Sequence, residues 1–211
     1  FYAILTDGSI GSADRAMTAS RLAALRREEQ LAAAKVLGVS EVRFLGHKDG
    51  QLESTLELRR ELVKLMREFR PDRVVCHDPT TYFTSSSYIN HPDHRAAGRA
   101  AIEAVFPAVE LHLAFEDLLS EGYEPMRPDD VFMTATDRPN FAVDISDTID
   151  RKIEAIMCHT SQVSEQTPTG LRERLRIAGG LAGYEYAELF RVIDMVHRVY
   201  RPTLELMAQA E

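Results

Sequence analysis

Apolar runs and polar turns alternate along the first part of the chain in the manner of strands followed by helices. Phe1–Leu5, Val42–Leu45 and Arg73–Cys76 are short, mostly apolar runs, which is typical of strands buried in a sheet. Between them, apolar residues recur at helical spacing from about Ser20 to Leu37 and again over Leu58–Phe69. Strands and helices that alternate in this way predict right-handed crossover units. The expected fold is an α/β three-layer sandwich with a mostly parallel sheet.

Capping signals set the expected helix boundaries. Gly38 lies where a left-handed C-terminal cap would end the first helix, and Ser54 with Glu57 forms a candidate capping box for the second. Ser146 is the candidate N-cap of a later helix. Segment 77–90 is a long polar loop, and such loops carry sites in α/β proteins. The other predicted elements are helices over Ala96–Phe106, Leu111–Leu119 and from Ser146 to about Cys158, strands over Val131–Thr134 and Phe141–Ile145, and a helix from Leu171 followed by an extended stretch near Tyr184–Phe190.

The composition is that of an ordinary globular protein, and 211 residues predict a single domain over positions 1–211. The formal net charge of −8 gives no electrostatic reason to expect a nucleic-acid or anionic-membrane partner. No apolar run approaches the length of a membrane span, and no secretory signal pattern is visible. Cys76 and Cys158 lie in a predicted strand and a predicted helix, which favours buried thiols over a disulfide. We therefore expect a cytoplasmic location.

The strongest chemical signal is the run Asn90-His91-Pro92-Asp93-His94, between the polar loop and an alanine-rich helix. Pro92 suits a first helical turn, so His91 would stand near the N-cap and His94 about one turn later on the same side. A carboxylate near a histidine fixes its tautomer, and a neutral histidine can bind a metal. The spacing leaves a second interpretation open, a polar helix cap with surface histidines. The histidines interpreted as surface or structural are His47, His112 and His197.

An ordered set of short motifs accompanies this run over nearly the whole chain. The set comprises Thr6-Asp7-Gly8, Arg26-Arg27-Glu28-Glu29, Phe44-Leu45-Gly46 with Asp49-Gly50, His91-Pro92-Asp93-His94, Ile149-Asp150-Arg151-Lys152, His159-Thr160-Ser161-Gln162 and Tyr186-Ala187-Glu188-Leu189-Phe190. In this order and spacing the motifs resemble the LmbE-like (PIG-L-like) family of zinc-dependent N-deacetylases. The resemblance implies a Rossmann-like α/β fold and hydrolysis of an acetamido group, commonly on an N-acetylglucosamine-type substrate, by a zinc-bound water.

The resemblance also implies roles within the histidine motif. His94 matches a zinc ligand, His91 matches the electrostatic or acid group near the developing oxyanion and the leaving amine, and Asp93 matches the residue that orients His91. Zinc suits amide hydrolysis because it lowers the pKa of bound water to about 7 and polarises the carbonyl. A cationic His91 would stabilise the tetrahedral intermediate and protonate the departing nitrogen. Imidazole and carboxylate ligands suit several divalent ions, so a metal other than zinc stays open.

One family motif is missing from the sequence. The A-H-P-D-D-E-like motif, which supplies a histidine and an aspartate as zinc ligands and a second aspartate as general base, does not occur here. Catalytic zinc usually has three protein ligands, and this chain matches one. Three explanations compete: the sequence begins one strand too late, the protein has lost its metal, or His77 and Asp78 serve as replacement ligands. We favour the first, so we expect the 211 residues alone to bind zinc poorly and to hydrolyse little.

Three further residues are candidate substrate contacts. Asp49 matches a family position that faces the substrate, although an aspartate before glycine is also ordinary turn chemistry. Arg26 matches the arginine of the family's R-x-x-E pair, which with Glu29 could instead form an ion pair that braces a loop. Tyr88, in the long polar loop, could present its hydroxyl to an oxyanion. The weaker candidates for the edge of the site are Asp7, His159 and Gln162.

The leading interpretation is a zinc-dependent hydrolase that removes an N-acetyl group from an N-acetylglucosamine-type conjugate, a small-molecule partner. A non-catalytic sugar or acyl-amide binding module on the same scaffold is the alternative. A nucleotide-binding protein is poorly supported, because the turn after the first strand is not a G-x-G-x-x-G fingerprint. The aglycone, the acyl group and the formation of a homo-oligomer stay open.

Overall fold

The computed structural model describes residues 1–85 and 87–196, so His197 lies outside the described residues. The helices are α1 (Ala19–Leu37), α2 (Leu56–Phe69), α3 (Pro92–Glu103), α4 (Glu116–Ser120), α5 (Ile149–Met157) and α6 (Thr167–Ala182). The strands are β1 (Tyr2–Thr6), β2 (Val42–His47), β3 (Arg73–His77), β4 (Phe83–Ser85), β5 (Tyr88–Ile89), β6 (Asp130–Thr134), β7 (Phe141–Asp144) and β8 (Ala187–Asp194). A π-helical turn over Ala104–Ala108 follows α3.

The chain divides into two compact units. Unit 1 comprises Phe1–Leu52 and Ala142–Glu188. Unit 2 comprises Glu53–Phe141 and the described residues from Leu189 onward. The single domain over positions 1–211 stays a prediction.

In unit 1, strands β1 and β2 pair in parallel, with Tyr2 opposite Val42. Helix α1 begins after Thr18, whose side chain accepts a hydrogen bond from the Arg21 N–H. The helix ends at Gly38, whose φ of 70° lies in the left-handed region that glycine adopts without a steric penalty. The predicted C-cap is therefore confirmed. Helix α1 packs against α5, and a cluster of apolar side chains supports α5 and α6: Ile145, Ile149, Leu171 and Leu175.

In unit 2, strands β3 and β6 pair in parallel, with Val74 opposite Val131. Strand β8 runs antiparallel to β6 and places Val192 opposite Phe132. The fold is thus a mixed α/β fold whose sheet is not fully parallel, so the predicted Rossmann-like, mostly parallel sheet is confirmed only in part. A short apolar run predicts a strand but not its direction, because either direction buries the same side chains.

The second helix begins one residue later than its capping signal indicated. Thr55 is the N-cap of α2, and its Oγ1 accepts a hydrogen bond from the Leu58 N–H at 3.1 Å. The Ser54 hydroxyl instead donates to Glu103 at 3.3 Å. The predicted capping box of Ser54 and Glu57 is therefore wrong, because the neighbouring hydroxyl takes the capping position. The helix buries its predicted apolar face, which includes Leu58, Leu62, Leu65 and Met66.

Two other local predictions also need correction. Ser146 does not cap α5. Its hydroxyl donates a hydrogen bond to Asp144 at 2.6 Å and accepts one from the Tyr186 N–H at 3.2 Å. Helix α5 instead follows Thr148, which makes no side-chain capping bond. The polar loop after β3 contains the antiparallel hairpin β4–β5. The bond between Ser146 and Tyr186 joins residues 40 positions apart, so local periodicity could not reveal it.

Cys76 and Cys158 are free and partly buried, and burial raises the pKa of the Cys76 thiol to about 12. Over residues 1–85 and 87–196, no helix has the length and apolar character needed to cross a membrane. The cytoplasmic location stays a prediction.

Candidate active site

The histidine motif lies at the start of α3, as the sequence predicts. His91 is the N-cap and Pro92 occupies the first helical turn. The backbone N–H of Asp93 donates to His91 Nδ1 at 3.2 Å, which fixes the imidazole at the helix end. Because Nδ1 accepts this hydrogen bond, Nε2 is the ring nitrogen left to face a ligand. The acid role of His91 stays a prediction.

Three imidazole rings gather at this end of α3. The centroid of the His94 ring lies 5.3 Å from that of His91. The His94 ring also stacks flat against the His77 ring, with the two centroids 4.1 Å apart and the planes 3° from parallel. Burial lowers the pKa of His77 to about 4, and His94 adds to the effect, so His77 is neutral at neutral pH. The sequence indicates His77 only as a possible replacement ligand, and nothing near it in the sequence predicts this stack.

A glycine brings α3 against the end of β3. A Cβ atom at position 98 would lie only 2.2 Å from the His77 carbonyl oxygen. Gly98 comes one helical turn after His94 and lies on the same side of α3. The missing side chain at position 98 therefore allows the His94 ring to reach the His77 ring.

Asp78 fixes the loop that follows β3. It is fully buried, and its carboxylate accepts hydrogen bonds from the Thr80 N–H at 2.9 Å, the Thr80 hydroxyl at 2.6 Å and the Thr136 hydroxyl at 2.7 Å. Arg191 adds an ion pair at 3.6 Å. Burial alone would raise the pKa of Asp78, but these hydrogen bonds and Arg191 hold it below its ordinary value. Both carboxylate oxygens are engaged in holding the loop.

Tyr88 lies in strand β5 with an exposed side chain. Two residues later, the chain returns to the buried Asn90 and then to His91. Tyr88 therefore lies with an exposed side chain on the strand that leads into the histidine motif. Its role toward an oxyanion stays a prediction.

In unit 1, Asp7 and Asp49 lie together. Asp7 Oδ1 accepts hydrogen bonds from the N–H groups of Ser9 at 3.1 Å and Asp49 at 3.2 Å. Asp49 Oδ2 in turn accepts the Ile10 N–H at 3.2 Å. Burial alone would raise the pKa of Asp7, but its hydrogen bonds with Ser9 and Asp49 lower it. Asp49 therefore has a turn-forming role in the structure, and its substrate role stays a prediction.

Arg26 and Glu29 form hydrogen bonds with different partners within unit 1. Arg26 Nη1 donates to the Gly8 carbonyl at 3.4 Å, so Arg26 does brace the loop after β1. The Glu29 carboxylate accepts hydrogen bonds from the Thr160 hydroxyl at 2.8 Å and from the Ser161 N–H and hydroxyl, each at 2.7 Å. In the described part of the chain no ion pair joins Arg26 to Glu29, which contradicts the ion-pair alternative. The R-x-x-E spacing identifies both residues, but the partners of Glu29 lie too far along the chain for spacing to indicate them.

The H-T-S-Q motif is tied to the same loop from a second side. Gln162 Nε2 donates to the Gly11 carbonyl at 3.0 Å. Burial lowers the pKa of the neighbouring His159, and Arg26 adds to this effect while Glu29 opposes it. Within unit 1, the structure therefore gathers Asp7, Arg26, Asp49 and Gln162 around the loop over residues 7–11.

Replacing Glu29 with glutamine is expected to destabilise the protein by about 1–3 kcal/mol, because the amide NH₂ would face hydrogen-bond donors in a buried site. Glu29 is only 5% exposed. Burial alone raises the pKa of its carboxyl, but the hydrogen bonds from Ser161 and Thr160 outweigh burial and lower it from 4.5. The carboxylate therefore contributes stability above the unfolded-state pKa, and the contribution is lost as the pH falls through the folded-state pKa. Urea unfolding at pH 7 and pH 4 measures both effects, and E29Q should lose less stability on acidification than the unchanged protein.

Glu28 supplies the matched control, because it precedes Glu29 in α1 and is exposed. E28Q should change the free energy of unfolding by no more than about 0.5 kcal/mol at either pH. Equal losses for E28Q and E29Q would show that the bonds to Ser161 do not carry the effect.

The described residues do not complete a metal site. Among residues 1–85 and 87–196, no group of three or more His, Cys, Asp and Glu side chains is placed to hold a metal ion. His94 contributes one imidazole, while the Nδ1 atom of His77 is buried without a hydrogen-bond partner. Because Asp78 is engaged with Thr80 and Thr136, the geometry does not support His77 and Asp78 as replacement ligands. The residues present therefore do not fit a catalytic zinc ion by themselves.

Comparison with known proteins places the chain in a class of hydrolases, the N-deacetylases. Residues 1–105 match the family described as PIG-L: GlcNAc-PI de-N-acetylase. The chain is also 36% identical over 196 residues to the diacetylchitobiose deacetylase of Thermococcus kodakarensis, which covers 91% of this chain and 71% of that protein. Within the hydrolases, the chain belongs to the PIG-L (LmbE-like) family, and the resemblance drawn from its motifs is confirmed.

Two further similarities support the same assignment. The probable N-acetyl-alpha-D-glucosaminyl L-malate deacetylase 2 of Bacillus anthracis is 28% identical over 182 residues, which covers 82% of this chain and 72% of that protein. The structure of N,N'-diacetylchitobiose deacetylase from Pyrococcus horikoshii, complexed with its inhibitor MPG, superposes with a TM-score of 0.83 at 33% identity and covers 92% of this chain and 72% of that one. These similar proteins are deacetylases of N-acetylated amino sugars by name.

Proposed function

We propose that this protein hydrolyses the N-acetyl group of an N-acetylglucosamine-type conjugate, with zinc or another divalent metal as cofactor and His94 as one metal ligand. The observation that carries the proposal is the pair of imidazoles, His91 and His94, held at the N-terminus of α3 in a member of a de-N-acetylase family. The deacetylases of diacetylchitobiose and of glucosaminyl malate that resemble this chain support an amino-sugar substrate.

His91 is proposed to stabilise the oxygen that becomes negative when the amide carbonyl is attacked. The Asp93 N–H occupies Nδ1, so Nε2–H is the group left to donate a hydrogen bond to that oxygen. The N-terminus of α3 carries the positive end of the helix dipole, which also favours negative charge at this position. Asp93 is buried in the first turn, two residues after His91, which supports the orienting role proposed for its carboxylate.

Three residues are proposed as substrate contacts. Asp49 would accept hydrogen bonds from sugar hydroxyls, and Arg26 would donate to the substrate from the same loop cluster of unit 1. Tyr88 would donate its hydroxyl to the oxyanion. The exposed side chain of Tyr88 and the anchoring of Arg26 and Asp49 around the loop over residues 7–11 support these roles.

Replacing His94 with alanine in the full-length gene product is expected to remove bound metal and to lower acetate release at least about 100-fold, because a first ligand is lost. Asp93→Ala keeps the backbone N–H that bonds His91 Nδ1 but removes the carboxylate proposed to orient the ring, so it is expected to retain the metal and to lower turnover about 10–100-fold. Elemental analysis measures the metal, and an assay of acetate released from N,N'-diacetylchitobiose measures turnover.

His112 is the matched control, since it is an exposed loop histidine elsewhere in unit 2. His112→Ala should keep the metal and the turnover of the unchanged protein. If His94→Ala and Asp93→Ala both stayed fully active, the assigned roles would be wrong. A protein that binds the sugar but holds no metal and releases no acetate would instead be the non-catalytic binding module.

A further inference from the structure

Hydrogen bonds of the flanking residues fix the ends of the hairpin β4–β5. Thr81 and Asn90 flank the hairpin and are both buried. Asn90 donates its Nδ2 to the Thr81 carbonyl at 2.9 Å and its backbone N–H to the Tyr82 carbonyl at 2.8 Å. The Thr81 hydroxyl is tied to Asp137 at 3.0 Å. The backbone of Tyr82 is therefore fixed on both sides.

The Tyr82 ring is held on one face and exposed on the other. The Arg95 guanidinium lies 4.2 Å from the ring centroid, and the same guanidinium donates a hydrogen bond to the Asn90 carbonyl. Tyr82 nevertheless remains 57% exposed, and in the described part of the chain no second ring or cation stacks on it. A ring fixed in this way loses little side-chain freedom when a ligand covers its open face.

Tyr82 is connected directly to the histidine motif. Asn90, which bonds the Tyr82 backbone, immediately precedes His91. Arg95, which stacks on the Tyr82 ring, lies one turn after His91 in α3 and donates its backbone N–H to the His91 carbonyl at 3.3 Å. A substrate with its acetamido group at His91 therefore has Tyr82 as a neighbouring aromatic surface.

We propose that Tyr82 is a carbohydrate-binding platform that stacks against the sugar unit next to the one that loses its acetyl group. One face of a pyranose ring presents C–H groups of partial positive charge, and the face of an aromatic ring carries negative partial charge. Stacking also removes both apolar surfaces from water. The proposal rests on the proposed function and specifies its substrate class as a di- or oligosaccharide, in agreement with the two-sugar substrate that names the diacetylchitobiose deacetylases.

The test compares two substrates on the full-length gene product. Tyr82→Ala is expected to lower the ratio of kcat/KM for N,N'-diacetylchitobiose to kcat/KM for N-acetylglucosamine about tenfold, mainly through the KM of the disaccharide. Tyr82→Phe keeps the ring and should restore the ratio to within about twofold. An unchanged ratio in Tyr82→Ala would overturn the platform.

Phe83 supplies the matched control, because it is an aromatic residue 66% exposed at the start of β4, directly after Tyr82. Phe83→Ala should leave the ratio unchanged, and an equal fall in both variants would also overturn the proposal. Binding of the disaccharide to His94→Ala, followed by saturation-transfer NMR, separates the two hypotheses. If adding Tyr82→Ala to the His94→Ala variant abolishes the NMR contact with the disaccharide, the platform is supported even if no acetate is released. If both sugars are turned over and Tyr82→Ala has no effect, only the proposed enzyme function is supported.

Discussion

Replacing Gly98 with alanine is expected to destabilise the protein by about 3 kcal/mol, because the new methyl group has no space. Its Cβ would lie 2.2 Å from the His77 carbonyl oxygen, 3.0 Å from the His77 carbonyl carbon and 3.3 Å from Pro79 Cδ. The two closest atoms belong to the backbone and cannot rotate away, so α3 must move from the end of β3. Because His94 lies one turn earlier on the same side of α3, this movement should separate its ring from His77. Urea unfolding measures the stability, and the loss of the ring-current shift on the His94 protons reports the separation.

Gly180 provides the control substitution. It lies inside α6, and a Cβ atom there would meet nothing within 4 Å beyond its chain neighbours and the backbone of its own helix. Gly180→Ala should therefore stabilise the protein by about 0.5–1 kcal/mol, the ordinary gain for alanine over glycine in a helix. If Gly98→Ala also stabilised the protein, or left the His94 signals unchanged, the close approach of α3 to β3 would not be what positions His94.

The parts of the site that could be predicted from the sequence are those whose physics is local. The position of His91 at the N-cap followed from Pro92, since proline at the first helical position and a polar cap act within one turn. The end of α1 followed from Gly38 for the same reason. The family followed from an ordered set of such motifs, because their order and spacing were specific where each motif alone was not.

The contacts that the sequence did not reveal join distant parts of the chain. Nothing near Glu29 in the sequence indicates that its carboxylate bonds Ser161, and nothing near His77 indicates that its ring stacks on His94. The antiparallel direction of β8 is of the same kind, because pairing partners are chosen by tertiary packing. Composition and periodicity predict which residues are buried, whereas these pairings decide what the buried polar groups bind.

Replacing Arg67 with methionine is expected to destabilise the protein by about 3 kcal/mol or more, because several buried or partly buried carbonyl groups lose their donor together. Arg67 is 3% exposed in α2, and its guanidinium donates to backbone carbonyls of the segment after α3. The acceptors are Ala108 at 3.0 Å, Leu111 at 2.9 Å, Ala114 at 3.2 Å, and Val109 and Tyr123 at 3.4 Å each. Methionine keeps most of the apolar stem, so urea unfolding of Arg67→Met measures chiefly the lost hydrogen bonds. Arg67→Lys should recover only part of the stability, because an ammonium group cannot reach the same set of carbonyls.

Arg60 provides the control for Arg67, because it lies in the same helix and forms ion pairs, which are commonly assumed to stabilise proteins. Its guanidinium forms ion pairs with Asp117 and with Glu121, yet all three side chains are at least one-third exposed. Exposed ion pairs contribute little to stability, since water and salt screen the charges in both states. Arg60→Met should therefore change the free energy of unfolding much less than Arg67→Met, although Arg60 pairs with two carboxylates and Arg67 bonds neutral carbonyls. Losses of equal size would mean that charge pairing, and not the burial of the bonded groups, determines which arginine stabilises this helix.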